Sequence, residues 1–227
     1  MSAIEEAISA LRSGKFVLIH DEKSREDEID MVIAAERVRP WHVATMRNDA
    51  GGLLCVAITN EITVKLGLVY MQEIMQSLST VNPIFAKLSI GKSPYGDNPS
   101  FSISVNHRDT YTGITDVDRA LTISKMAEVF KKIDSGGADE FARNFRAPGH
   151  VPILIASKGL LQERKGHTEL CVYLTQLAEL TPVVAICEML DSTTYRALSV
   201  SKAKIYSDKA AIPLLEASQL ERHAKAA

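Results

Sequence analysis

The chain has 227 residues, 46% apolar and 24% charged, and its 26 basic and 28 acidic side chains leave a net charge of −2. A chain this apolar can offset the entropy of ordering, which excludes disorder as its dominant state. Neither a basic surplus nor a single-sign charge run marks a nucleic-acid binder. Three cysteines, Cys55, Cys171 and Cys187, are too few and too odd in number for a secreted disulfide framework. The opening Met1-Ser2-Ala3-Ile4-Glu5-Glu6 is acidic where a signal peptide is basic, and no apolar stretch approaches the ~20 residues that cross a bilayer. These features predict a soluble cytoplasmic protein, one domain over residues 1–227, with no nucleic-acid or membrane partner.

Ile4, Ala7, Ile8 and Leu11 fall at helical spacing and predict a first helix that ends at Gly14. Residues 16–19 read as a buried strand, 20–30 as a polar loop and 31–35 as a second strand. Pro40 starts a helix that runs to the Gly51-Gly52 break, followed by a strand at 53–58. Asn60 is placed to cap a short helix ending at Gly67. The pattern weakens over 68–99: residues 70–90 have room for a helix, and Pro94, Gly96 and Pro99 mark an irregular loop. Alternation of Phe101, Ile103 and Val105 predicts a strand at 100–105 with one wetter face. Asp118 is placed to cap a helix over Ala120, Ile123, Ala127 and Phe130, and Gly136-Gly137 precedes a short helix containing Phe141 and Phe145. Strands are expected at 151–156 and 183–189, a helix at 167–180, and a helix–strand–helix finish at 199–223. This alternation, with no clean hairpin signals, favours a single α/β or α+β domain with a mixed sheet flanked by helices.

Four polar clusters stand out. The run Asp21, Glu22, Lys23, Ser24, Arg25, Glu26, Asp27, Glu28 and Asp30 reads in isolation as a solvated turn. It is wedged between two apolar strands, however, at strand ends where open sheets bind ligands. Its carboxylates suit a hard divalent cation such as magnesium, and Arg25 suits a phosphate or carboxylate. In Arg146-Ala147-Pro148-Gly149-His150-Val151, the Pro-Gly pair reads as a tight turn delivering His150 to a strand, either as a structural histidine or as a positioned acid or base. Arg164-Lys165-Gly166-His167-Thr168-Glu169 opens a helix, so its free amides, the Thr168 hydroxyl and two cations form either an anion cradle or an ordinary N-terminus. Glu188 ends an apolar strand, where burial would raise its pKa and suit it to acid/base work, unless it already reaches water. No P-loop, dinucleotide fingerprint or zinc spacing competes. Together the clusters describe a metal-assisted enzyme acting on a phosphorylated, oxygen-rich small molecule.

At these residues the sequence resembles the 3,4-dihydroxy-2-butanone 4-phosphate synthase family of the riboflavin pathway, most closely its archaeal stand-alone form. The resemblance spans nearly the whole chain in order, through Arg25-Glu26-Asp27-Glu28-Ile29-Asp30-Met31, Asp49-Ala50-Gly51-Gly52-Leu53-Leu54-Cys55, Asn106-His107-Arg108 and Thr112-Gly113-Ile114-Thr115-Asp116. It continues through residues 146–151, Gly166-His167-Thr168-Glu169 and Cys187-Glu188-Met189. It implies an α/β (α+β) sandwich fold and a homodimeric lyase whose active sites lie close to the dimer interface, using Mg2+ or Mn2+, one or two ions per subunit. The reaction implied converts D-ribulose 5-phosphate into L-3,4-dihydroxy-2-butanone 4-phosphate and formate. Carried over by position, Glu26 and His167 are the implied metal ligands, and Glu188, His150 and Asp30 the implied catalytic groups. Arg25, Glu26, Asp30, Thr112, Arg164, Lys165, Gly166, His167, Thr168 and Glu188 would contact substrate, with Asp21, Glu28 and Cys55 lining the pocket. Another metal-dependent sugar-phosphate aldolase or isomerase, and a nucleotide- or RNA-binding domain, are the alternative readings. Two departures from the family pattern concern backbone shape. Asp27 replaces a small or neutral residue and is expected to tolerate a left-handed turn, and Asp191-Ser192-Thr193-Thr194 lacks the family's usual glycine.

Overall fold

The computed structural model describes residues 2–89 and 91–226. The chain opens with α1 (Ala3–Arg12), which Ser2 caps, and continues through β1 (Val17–His20), β2 (Ile29–Ala34) and α2 (Pro40–Thr45). A single π-helical turn carries α2 to Ala50, and Gly51, at φ 85, ends it in the left-handed conformation that glycine adopts without steric cost. Next come β3 (Cys55–Ile58), α3 (Asn60–Leu66), α4 (Met71–Ser77), α5 (Pro83–Leu88) and β4 (Phe101–His107). The second half holds α6 (Asp116–Phe130), α7 (Gly137–Asn144), β5 (Phe145–Ile155), α8 (His167–Leu177) and β6 (Val183–Glu188). A short hairpin, β7 (Leu190–Asp191) and β8 (Arg196–Ala197), precedes α9 (Val200–Ala210), β9 (Leu214–Glu216) and α10 (Ala217–Ala226).

Seven strands form one mixed sheet in the order β4-β5-β3-β6-β2-β1-β9, with β1–β9 and β3–β5 parallel and the other pairs antiparallel. Side chains alternate across it, so one face buries Leu18, Met31, Ile33, Val56 and Cys187 against α2 and α6. The other buries Val17, Ile19, Val32, Cys55 and Ile186 against α1, α8 and α10. Asp30 shares the parity of Val32, which aims it at α8.

The mixed sheet flanked by helices expected from the alternation is what forms, but several local expectations need correction. Thr59, not Asn60, caps α3, its hydroxyl accepting from the Ile62 amide at 3.2 Å. Thr115 likewise caps α6, which frees Asp118 to accept from the amides of Tyr111, Thr112 and Gly113 and close that loop. Residues 70–90 hold two short helices rather than one, because Pro83 cannot continue the first and instead opens the second. Phe145 leaves the helix predicted for it and starts β5. The Pro-Gly pair makes no tight turn: residues 147–150 are a bulge inside β5, since Val105 pairs Val151 while Asn106 pairs Arg146. Where glycine was missing near Asp191, the hairpin survives because Tyr195 takes the left-handed position at φ 61.

Candidate active site

The loop joining β1 to β2 is built around Asp21. Its buried carboxylate accepts from the Glu26 and Glu28 amides at 3.1 and 3.0 Å and from the Arg25 guanidinium at 3.1 Å. Asp27 adopts φ 54, as its tolerance of left-handed backbone predicted, and the loop reverses there between the two glutamates. Its carboxylate lies 3.1 Å from His20, whose other ring nitrogen is 2.6 Å from Glu216 at the end of β9.

The α8 N-terminus meets this loop. His167, the first residue of α8, is buried with Nδ1 3.1 Å from Glu26 Oε2, and with Nε2 3.2 Å from the Glu28 carbonyl and 3.9 Å from Asp30 Oδ1. Gly166 lets the Arg164 guanidinium fold back to Glu169 at 2.6 Å, since a Cβ there would push the guanidinium aside. Asp30 pairs Glu188 across the β2–β6 ladder. Glu188 accepts from the Leu53 amide at 2.7 Å, and its close approach leaves no room for a side chain at Gly52, where a Cβ would lie 2.5 Å from its carboxylate. Cys55 packs beside these acids, and burial pushes its thiol well above the ordinary range, which makes it an inert wall.

The charges do not sit at their ordinary values. Burial raises Asp30 to about 7, further pressed by Glu188, Glu26 and Glu28 and only partly relieved by His167. Burial alone would lower His167, but Asp30, Glu26 and Asp21 outweigh it and raise the imidazole to about 10. Glu26 is lowered to about 2, because hydrogen bonds from His167 and Tyr95, with the Arg25 charge, overcome its burial. Burial and the neighbouring Glu26 and Glu188 raise Glu28.

Asp21, Glu26 and His167 each offer a ligand atom within 4.8 Å of the others, and Asp30 Oδ1 is buried without a hydrogen-bond partner. Carboxylate oxygens with one imidazole suit a hard divalent cation of the Mg2+ or Mn2+ kind. The donor set therefore fits such an ion, with Asp21 an addition to the two ligands expected.

The remaining residues divide. Arg25 and Arg164 converge on one partner the sequence reading missed, Asp97 of the loop before β4. Nothing in the sequence between Pro94 and Pro99 signals a contact to residues so distant. Thr168 is buried one position into α8. Lys165 turns away to Glu221 of α10 at 2.5 Å. His150 and Thr112 lie elsewhere. His150 is exposed and bonded to Asn106, with β3 and β6 between its strand and β2. Thr112 is exposed in the loop that Asp118 closes. At roughly 4.8 Å per strand, the gap from β5 to β2 is about 14 Å. A cleft of about 850 Å³, lined by Tyr70, Gln72, Lys92, Asp97, Ser157 and Arg164, opens beside Arg164.

Acidic and imidazole donors, a buried acid near neutrality and two arginines, gathered at one end of a mixed sheet, define an enzyme site of the metal- and anion-binding class. The model of the family described as 3,4-dihydroxy-2-butanone 4-phosphate synthase matches residues 5–223, and the chain belongs to that family, whose lyases make this compound in riboflavin biosynthesis. A protein of that name from Methanothermobacter thermautotrophicus is 46% identical over 204 residues, covering 90% of this chain and 88% of its own. Among solved structures, a cation-free form of such a synthase superposes with a TM-score of 0.78 at 27% identity, covering 99% and 98% of the two chains. Another, a synthase in complex with two magnesium ions, gives 0.75 at 28% identity, covering 99% and 97%.

Proposed function

We propose that this chain converts D-ribulose 5-phosphate into L-3,4-dihydroxy-2-butanone 4-phosphate and formate in the cytoplasm, with residues 1–227 forming the synthase domain. The observation that carries the reading is the convergence of Glu26, His167, Asp30 and Glu188 at one end of the β2–β6 ladder, beside Arg25 and Arg164. Glu26 and His167, with Asp21 beside them, would hold one or two Mg2+ or Mn2+ ions. Such an ion supplies Lewis-acid stabilisation to charge developing on the sugar oxygens.

Arg25, Arg164 and the free amides at Gly166 and Thr168 bind the phosphate, the helix dipole adding to the guanidinium charges. Asp30 accepts from a sugar hydroxyl through its unpartnered Oδ1 and, at about 7, holds or releases a proton near neutrality. Glu188, fixed by the Leu53 amide, exchanges a proton with the same substrate face. The ketose enolises and loses its C1 hydroxyl as water. The phosphate-bearing carbon then migrates from C4 to C3, and water returns to the departing C4, which leaves as formate. Atoms balance without an external oxidant.

His150 and Thr112 do not reach this pocket within one chain. Thr112 is flanked by the exposed side chains Tyr111 and Ile114, and Asn106, which His150 bonds, packs against Gly113 of the same loop, which supports a homodimer in which this face of one copy meets the site of the other. An aldolase or isomerase acting on another sugar phosphate is not favoured, given the family. Calorimetric titration with Mn2+ tests the ion site: binding should be lost in folded Glu26→Ala and His167→Ala variants, and retention in both would overturn the ligand assignment.

A further inference from the structure

The two arginines read as the phosphate site are not free. Each has one permanent partner: Asp21 for Arg25 at 3.1 Å and Glu169 for Arg164 at 2.6 Å, both with carboxylates wholly shielded from solvent. They share a third carboxylate, Asp97, at 2.5 Å from Arg25 and 3.4 Å from Arg164. Asp97 differs in kind. It is 30% exposed, it belongs to a separate loop, and it lines the open cleft into which it can swing. Its hold on Arg164 is also incomplete, because the buried Nε has no hydrogen-bond acceptor. The same loop adds Tyr95, whose ring covers the Arg25 guanidinium at 4.9 Å.

The geometry points to Asp97 as a built-in competitor that occupies the anion position between Arg25 and Arg164 and must be displaced by the phosphate of the substrate. A phosphate dianion brings twice the charge and three acceptor oxygens, enough to bond both guanidiniums and satisfy Arg164 Nε, so the exchange favours it. A singly charged carboxylate ligand gains nothing over Asp97. The residue thereby sets both the affinity of the site and its preference for phosphorylated sugars. This inference rests on the arginine assignment made above.

The test is calorimetric titration of the full chain with inorganic phosphate, paired with KM for D-ribulose 5-phosphate. Asp97→Asn should bind phosphate roughly two- to fivefold more tightly, the gain expected from removing a partly exposed competing charge, with KM falling in step. Asp97→Glu, which keeps the charge, should stay near the parent protein. A loss of folding integrity does not tighten binding, so the sign separates competition from a structural role. Unchanged or weaker phosphate binding in Asp97→Asn overturns the inference, as does an equal gain in Asp97→Glu. Arg164→Gln in the same experiment should bind phosphate poorly. If it binds normally, the arginine assignment itself fails, whatever Asp97 does.

Discussion

Neutralising Asp30 should stabilise the metal-free protein, and more so as pH rises. The carboxyl is buried, faces Glu188 and His167, and is raised from 3.8 to about 7. A native pKa above the unfolded one means that the folded state holds the proton more tightly. No penalty exists below pH 3.8. It grows as pH rises toward 7 and is complete above it. At 1.36 kcal/mol per tenfold, the full penalty is about 4 kcal/mol, of which about 3 accrue between pH 5 and pH 8. Urea denaturation of the parent protein and Asp30→Asn, both in chelator, reads it directly: the stability advantage of Asp30→Asn should widen by about 3 kcal/mol from pH 5 to pH 8. An advantage constant to within about 0.5 kcal/mol would show that Asp30 ionises in the fold as it does in the unfolded chain, and that the His167 imidazolium fully compensates its burial.

Other perturbations have equally definite outcomes. Gly52→Ala places a methyl group against Glu188, and should cost about 1–3 kcal/mol in thermal unfolding while lowering kcat. Gly166→Ala forces Arg164 off its seat and should raise KM for the sugar phosphate more than it lowers kcat, as steady-state kinetics will show. Since His167 is raised to about 10 and must be neutral to ligate, Mn2+ affinity should increase from pH 6 to pH 9 with proton release, measurable by titration in buffers of different ionisation enthalpy.

The sheet was legible because its strands are dense apolar runs whose parity assigns faces: Val32 and Ile186 to one side, Met31 and Cys187 to the other. The acidic loop and the α8 start were legible for a related reason, since polar residues packed between apolar strands must lie at sheet ends. What stayed hidden depends on distant partners. Gly149 allows the β4 backbone near Val105 to press against β5, so a pair that reads locally as a turn becomes a bulge. Asp97 sits in an ordinary polar loop and Glu216 at the end of a short apolar run, and only the folded chain brings them to Arg25 and His20. Lys165 looked like part of an anion cradle until α10 brought Glu221 beside it. His150 reads as a site residue in sequence, yet two strands separate its own from the β2 that carries Asp30, a separation no single-chain pattern reveals.

The most direct measurement is carbon-13 NMR of the products formed from D-ribulose 5-phosphate labelled at C4, with magnesium present. The label should appear in formate, at a rate abolished by chelator and in the Glu26→Ala and His167→Ala variants. Label retained in a sugar phosphate, with no formate from folded, magnesium-loaded protein, would contradict the lyase reaction assigned to this site.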